Sequence, residues 1–229
     1  STATPYEPGY GWYIEMAKKT IAEAAAAAEG RPLVLIGHSA GGWLGRAVLG
    51  DGEWEVEGSG LKAKEVIQGL VTLGAPHFPP PEDDPSLMDM TRGALTWTDR
   101  ELPGTYLSDE GIRYITVGSG LIPGEGSEER GTLGRAAYES YRIVCGNGDT
   151  LGDGVVPLIS THLEGAEQIT MPCYHSIEPP SNTVSERGSW YGSDSQVDTW
   201  LKCLEVSEQN NAGGEWFQPV LDQFNRFGK

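Results

Sequence analysis

The chain has 229 residues, and its 16 lysines and arginines against 33 aspartates and glutamates give a net charge of −17. An acidic surface of this kind repels phosphate backbones, so no nucleic-acid partner is expected. No apolar run approaches the roughly 18 residues of a membrane-spanning helix, so no membrane span is expected. The length fits one domain over residues 1–229.

The cysteines bear on the cellular compartment. Cys145, Cys173 and Cys203 are odd in number and too scattered for a disulfide framework. They favour a reducing intracellular compartment, such as the cytosol or a plastid. The chain opens at Ser1 without a targeting segment, which predicts a processed or truncated form.

Hydrophobic spacing predicts alternating helices and strands. In chain order these are a helix over 14–29, a strand buried on both faces over 33–36, a helix over 40–49, a surface loop over 51–60, a strand over 66–73, a short helix over 90–97, a strand over 112–117, a helix over 136–144, a strand over 168–171 and a helix over 197–204. This alternation predicts an α/β fold with a mostly parallel sheet and helices on both faces.

Two segments stand apart from this alternation. Residues 78–110 begin with a proline-rich stretch and are predicted to form a lid-like insertion over a pocket. The apolar residues expected to line that pocket are Phe78, Leu87, Met88, Met90, Leu95 and Trp97. Residues 207–229 are predicted to form a C-terminal tail that contains an amphipathic helix, which docks on the chain's own sheet or on a partner.

The motif that carries chemistry lies between the second predicted element and the third. Residues 37–42 read Gly-His-Ser-Ala-Gly-Gly and match the G-x-S-x-G nucleophile elbow in its strand-turn-helix context. Small residues are needed around such a strained turn, and Gly37 and Gly41 meet that need. Ser39 is therefore the predicted nucleophile, and the backbone N–H of Ala40 is the predicted oxyanion donor.

Three blocks in this order resemble the lipase-like branch of the α/β-hydrolase superfamily: VLIGHSAGG around Ser39, LVTLGAPH over 70–77 and GDGVVP over 152–157. The resemblance covers residues 13–206 and implies an α/β-hydrolase fold with a Ser-His-Asp triad acting on esters.

The family's chain order of nucleophile, acid and base narrows the choice among the four histidines. His38 adjoins the nucleophile and is predicted to point into the packing, and His77 precedes every acid of the pattern and is predicted to form a wall of the site. His162 follows Asp153 too closely to lie beyond the last strand, so a loop role is expected for it. His175 follows that strand and is the predicted base.

The acid is expected in the GDGVVP block. Asp153 stands four residues before Pro157, at the spacing typical of the superfamily's acid loop. Asp149 is interpreted as a turn-forming residue. No ligand spacing for a metal and no dinucleotide or phosphate-binding glycine motif is present, so no cofactor is predicted. The predicted pocket residues are His38, His77 and Trp97.

The N-terminal end departs from the family pattern. Only about a dozen irregular residues precede the first helix, whereas the family places further strands and a second oxyanion donor there. The elbow strand is therefore expected at an open sheet edge, covered either by a missing upstream segment or by a partner chain. A degenerate member of the family is the third possibility.

Two functions follow from the sequence. The first is a serine hydrolase that cleaves carboxylic esters of lipid-like or other apolar acyl substrates. The alternative is a non-catalytic or weakly active α/β-hydrolase-like subunit that binds a partner within an assembly.

Overall fold

The computed structural model describes residues 10–50, 52–82, 84, 87, 89–176 and 189–206. Its helices are α1 (Gly11–Ala27), α2 (Ala40–Leu49), α3 (Ala63–Val66), α4 (Ala94–Glu101), α5 (Leu133–Cys145) and α6 (Asp194–Val206). Its strands are β1 (Leu33–His38), β2 (Glu55–Val56), β3 (Leu61–Lys62), β4 (Ile67–Leu73), β5 (Arg113–Gly118), β6 (Ile122–Pro123), β7 (Leu151–Gly152) and β8 (Glu167–Thr170). The predicted tail over 207–229 lies outside the described residues.

The central sheet has four strands in the order β1-β4-β5-β8, and every pair is parallel. This confirms an α/β fold built on a parallel sheet. Two short antiparallel pairs, β2 with β3 and β6 with β7, lie outside it. The first of these pairs departs from the surface loop predicted over 51–60, because β2 lies within that segment and pairs its Glu55 and Val56 with Lys62 and Leu61 just beyond it.

Alternation of side chains along the strands divides the core between the two faces of the sheet. On one face, Leu70 and Tyr114 belong to a cluster with buried residues of α1 and α2. On the other face, Val71 and Ile115 pack with Trp200 and Leu201 of α6. Helices thus cover both faces. None of the described helices is both long and apolar enough to cross a bilayer.

The elbow strand β1 is an edge strand among the described residues, as the short stretch of chain ahead of the first helix predicted. The expectation that it is buried on both faces is wrong: only Gly37 is fully buried, and Ile36 is 39% exposed. Four apolar residues in a row suit burial, but the sequence of one strand does not show whether a second neighbour exists. The strand β4, which has β1 on one side and β5 on the other, is buried at every residue except Gln68.

The insertion over residues 78–110 packs against α2, the helix that follows the elbow. Its helix begins later than predicted, at Ala94, and buries Ala94 and Leu95 in the core beside α2. Leu95 is therefore a core residue and not part of an open pocket. Phe78 and Met90 are exposed by 38% and 68%, and Met88 lies outside the described residues.

Arg46 of α2 provides the polar part of this anchor. Its guanidinium is fully buried, with Nη1 donating to the His77 carbonyl at 3.2 Å and Nη2 donating to the Leu102 carbonyl at 2.6 Å. Asp99 of α4 lies 3.7 Å from Nη2. Burial lowers the pKa of Arg46 and raises the pKa of Asp99, yet the arginine stays charged because its ordinary pKa is so high.

We expect Arg46→Leu to reduce the free energy of unfolding by about 3 kcal/mol, because two buried carbonyls lose their donors. Urea denaturation measures the change. The matched control is Arg100→Leu in α4, where an exposed side chain pairs with Glu101 and the expected change is below about 0.5 kcal/mol. Equal losses in the two variants would contradict the anchoring role.

Candidate active site

Ser39 occupies the tight turn between β1 and α2. Its φ of 55° and ψ of −130° lie in a region that side-chain-bearing residues avoid, at a cost of about 1–3 kcal/mol. The Ser39 amide donates to the Leu73 carbonyl at 2.9 Å, so the β1–β4 ladder continues into the turn. Ser39 thus lies at the carboxyl end of the sheet. Ala40 opens α2, and the first amides of a helix have no acceptor within it.

Close packing around this turn explains two of its glycines. A Cβ on Gly37 would overlap the carbonyl group of Gly41, and a Cβ on Gly42 would overlap the Ala75 side chain. Outside its own helix, a Cβ on Gly41 would meet nothing nearer than the Tyr13 hydroxyl at 3.9 Å, so the space there admits an alanine. The steric demand falls instead on Gly42, which faces β4.

Asp153 lies directly after β7 and is fully buried. Its Oδ1 accepts the amides of Val155 at 2.9 Å and Val156 at 2.7 Å, which closes the acid loop into a tight turn around the carboxylate. By contrast, Asp149 is exposed and its amide bonds the Asn147 side chain at 3.0 Å. In this contact the Asn147 side chain forms the turn and Asp149 contributes its backbone amide.

The structure brings Asp153 and His175 together. Asp153 Oδ2 lies 2.8 Å from His175 Nδ1, and the His175 amide donates to the Asp153 carbonyl at 2.9 Å. An ionised carboxylate only accepts, so this bond places the imidazole proton on Nδ1 and leaves Nε2 as the acceptor. His175 follows β8 in the chain, so it lies with Ser39 at the carboxyl end of the parallel strands.

His38 links the elbow to the loop that carries His175. Its Nε2 donates to the His175 carbonyl at 2.9 Å, and the two imidazole rings lie 4.7 Å apart. Burial first, and then the nearby His175, lower the pKa of His38, which favours the neutral ring. The side chain of His38 therefore packs against His175, and Ser39 is its neighbour in the chain.

The two remaining histidines lie away from His175. His77 is fully buried and its Nε2 bonds Thr72 Oγ1 at 3.0 Å, so it is a packing residue and not the rim of an open pocket. His162 bridges Thr116 and Thr170 from a loop, at 3.0 and 3.2 Å.

An apolar cavity of about 280 Å³ lies beside the elbow, between α1, β1 and α2. Its lining includes Gly37 and Gly41 together with Tyr13, Met16 and Leu35. The predicted pocket residue Trp97 does not line this cavity; it lies half-buried on α4.

Two tyrosines that no sequence motif marks contact the turn around Asp153. The Tyr191 hydroxyl donates to Asp153 Oδ2 at 3.0 Å, and the Tyr141 hydroxyl accepts the Gly154 amide at 2.8 Å. Neither belongs to a motif, and Tyr191 is 38 positions away from Asp153. Within the described residues, no group of three His, Cys, Asp or Glu side chains is arranged to hold a metal ion.

Burial of the histidines predicts a loss of stability on acidification. Burial, followed by the charges of Arg46 and His162, lowers the pKa of His77 well below its ordinary value. In the unfolded chain His77 binds a proton as the pH drops below about 6.5, whereas in the folded chain it stays neutral. The free energy of unfolding therefore falls as the pH drops below that value. Between pH 7.5 and 5.5 the contribution of a histidine that stays neutral is about 1.4 kcal/mol.

Urea denaturation at the two pH values tests this for His77→Gln, which should lose that part of the pH dependence. His162→Gln is the control, since His162 is only partly buried and we expect a smaller change. An unaltered pH dependence in His77→Gln would count against the buried neutral histidine.

Comparison of the chain with family models, curated proteins and solved structures gave no match. The structure itself shows an α/β architecture, a parallel sheet with helices, which is compatible with an α/β hydrolase.

Proposed function

We propose that this chain is a serine hydrolase of the α/β-hydrolase type that cleaves carboxylic esters through Ser39, His175 and Asp153. The observation that carries the proposal is the buried Asp153–His175 hydrogen bond of 2.8 Å. It lies at the carboxyl edge of a sheet whose first strand ends in a strained, serine-bearing turn. A carboxylate, an imidazole and a serine in this order are the parts that acyl transfer requires.

In the proposed first step, Ser39 Oγ attacks the ester carbonyl carbon and its proton passes to Nε2 of His175. Asp153 holds the imidazole through Nδ1 and stabilises the positive charge that develops on it. The carbonyl oxygen becomes an oxyanion, which the Ala40 amide and the positive end of α2 stabilise. The tetrahedral intermediate then expels the alcohol, which takes the proton from His175, and an acyl-Ser39 ester remains.

In the second step a water molecule attacks the acyl carbon and gives one proton to His175. Collapse of the second tetrahedral intermediate breaks the bond to Ser39 Oγ, which recovers that proton, and releases the carboxylic acid. The sum is one ester and one water converted to an acid and an alcohol.

An apolar acyl group is the proposed substrate class. The cavity beside the elbow is lined mostly by apolar side chains, and its wall includes the backbone at Gly37 and Gly41, on either side of Ser39 in the chain. Phe78 and Met90 of the insertion add exposed apolar surface. Such a lining favours hydrocarbon chains over charged groups.

One observation favours the alternative, a binding subunit of an assembly. Within the described residues β1 has a neighbour on one side only, and Ile36 of that strand is 39% exposed. An uncovered strand edge can pair with a strand of another chain. A subunit of this kind would not require a reactive Ser39.

Labelling with a fluorophosphonate probe separates the two functions. We expect the probe to modify Ser39, and Ser39→Ala to abolish both labelling and hydrolysis of a p-nitrophenyl ester, because the hydroxyl supplies the nucleophile. Ser59→Ala, in the loop between β2 and β3, is the matched control and should change neither. A wild-type chain that the probe leaves unlabelled, and that hydrolyses none of a range of acyl esters, would favour the binding subunit.

We expect Asp153→Asn to lower kcat by about 10⁴. The asparagine oxygen can still accept the amides of Val155 and Val156, while its NH₂ group faces His175 Nδ1. That arrangement shifts the imidazole proton to Nε2, where it blocks proton abstraction from Ser39. Steady-state kinetics measure the effect, and Asp149→Asn is the control with an expected kcat close to that of the wild type.

A further inference from the structure

The carboxylate that holds His175 has a second side-chain partner. The Tyr191 hydroxyl donates to Asp153 Oδ2 at 3.0 Å, and that same oxygen lies 2.8 Å from His175 Nδ1. Oδ1 is taken up by the amides of Val155 and Val156. The phenol and the imidazole therefore share one carboxylate oxygen.

Burial and two contacts fix the position of Tyr191. Its side chain is fully buried, and its carbonyl accepts Trp200 Nε1 of α6 at 3.0 Å. The ring packs where Gly74 follows β4: a Cβ on Gly74 would stand 2.6 Å from both the Tyr191 ring and Asp153 Oδ2. Gly74 also has a φ of +54°, so a side chain there is excluded by both strain and space. The hydroxyl is thus held in place with little freedom to turn away.

We propose that Tyr191 is a positioning residue of the triad, whose hydroxyl shares the negative charge of Asp153 and so limits how strongly Asp153 stabilises protonated His175. This inference rests on the proposed hydrolase function for its kinetic consequence. Its electrostatic part concerns the folded chain alone and can be tested without a substrate.

The physical reason lies in the charge of the carboxylate. Each hydrogen bond donated to it draws negative charge away from the bond with the imidazole, and a buried site strengthens the effect. Burial and the charge of Asp153 both raise the pKa of Tyr191, so the phenol stays protonated and remains a donor. Without that donor, Asp153 would favour the imidazolium form more strongly.

Few other titratable groups face the Asp153–His175 pair. Within the described part of the chain they are His38 on β1, Tyr141 on α5 and the Cys173 thiol, which bonds the Tyr191 hydroxyl. Tyr141 is buried like Tyr191, but its hydroxyl donates to the Ile122 carbonyl at 3.0 Å and accepts from Gly154. It therefore serves the same loop without touching the carboxylate.

The test compares Tyr191→Phe with Tyr141→Phe. For each, the pH dependence of kcat/KM is measured with a p-nitrophenyl ester. The titration of the His175 Cε1 proton is followed separately by NMR and assigned with His175→Gln. In Tyr191→Phe we expect both midpoints to move upward by about half a pH unit. Tyr141→Phe should lower the melting temperature and leave the midpoints in place.

An unchanged NMR midpoint in Tyr191→Phe would overturn the inference, and so would an equal shift in both variants, since that would indicate a general loss of packing. A wild-type chain without esterase activity would contradict the proposed function alone, because the NMR titration still reports the Tyr191 effect.

A second variant keeps the shape of the ring in case Tyr191→Phe fails to fold. Placing 3-fluorotyrosine at position 191 makes the phenol a stronger hydrogen-bond donor, so both midpoints should move downward. A midpoint that stays fixed in this variant would also overturn the inference.

Discussion

Burial of the Asp153 carboxylate is the constraint on which the geometry of the site depends. A charge with no exposed surface must be fully hydrogen-bonded, or its desolvation destabilises the fold. Its partners come from separate parts of the chain: two amides of its own turn, Tyr191 ahead of α6 and His175 after β8. Satisfying one buried charge therefore joins three loops at the carboxyl end of the sheet.

The elbow is held on both sides, to this cluster through the end of β1 and to the insertion through α2. On one side, His38 holds the carbonyl of His175, so a hydrogen bond next to Ser39 joins the end of β1 to the loop that carries His175. On the other side, Arg46 holds the carbonyls of His77 and Leu102. The turn at Ser39 is thus tied through β1 to the loop that carries His175 and through α2 to the insertion, and this rigidity suits a turn that stores backbone strain.

Local patterns predicted the regular elements well where hydrophobic periodicity was strong. The helix over 40–49 has the observed bounds, and most others differ by a few residues at their ends, where caps and not periodicity decide. The helix predicted over 90–97 instead spans Ala94–Glu101, because the Asp89 side chain accepts the amides of Thr91 and Gly93 and forms a turn first. The small hairpin of β2 and β3 carries no periodic signal at all, since each strand has two residues.

The sequence by itself determined the α/β class, the serine-bearing turn after β1, and the chain order that singled out Asp153 and His175. These depend on short-range spacing and on a resemblance carried by contiguous residues. Only the tertiary structure decided that a Cβ is excluded at Gly42 but not at Gly41, that His77 is buried in the core, and that Tyr191 shares an oxygen of Asp153 with His175. Each of these depends on which surfaces meet across the sheet, and contacts between residues 30 or more positions apart leave no periodic or motif signal in a single sequence.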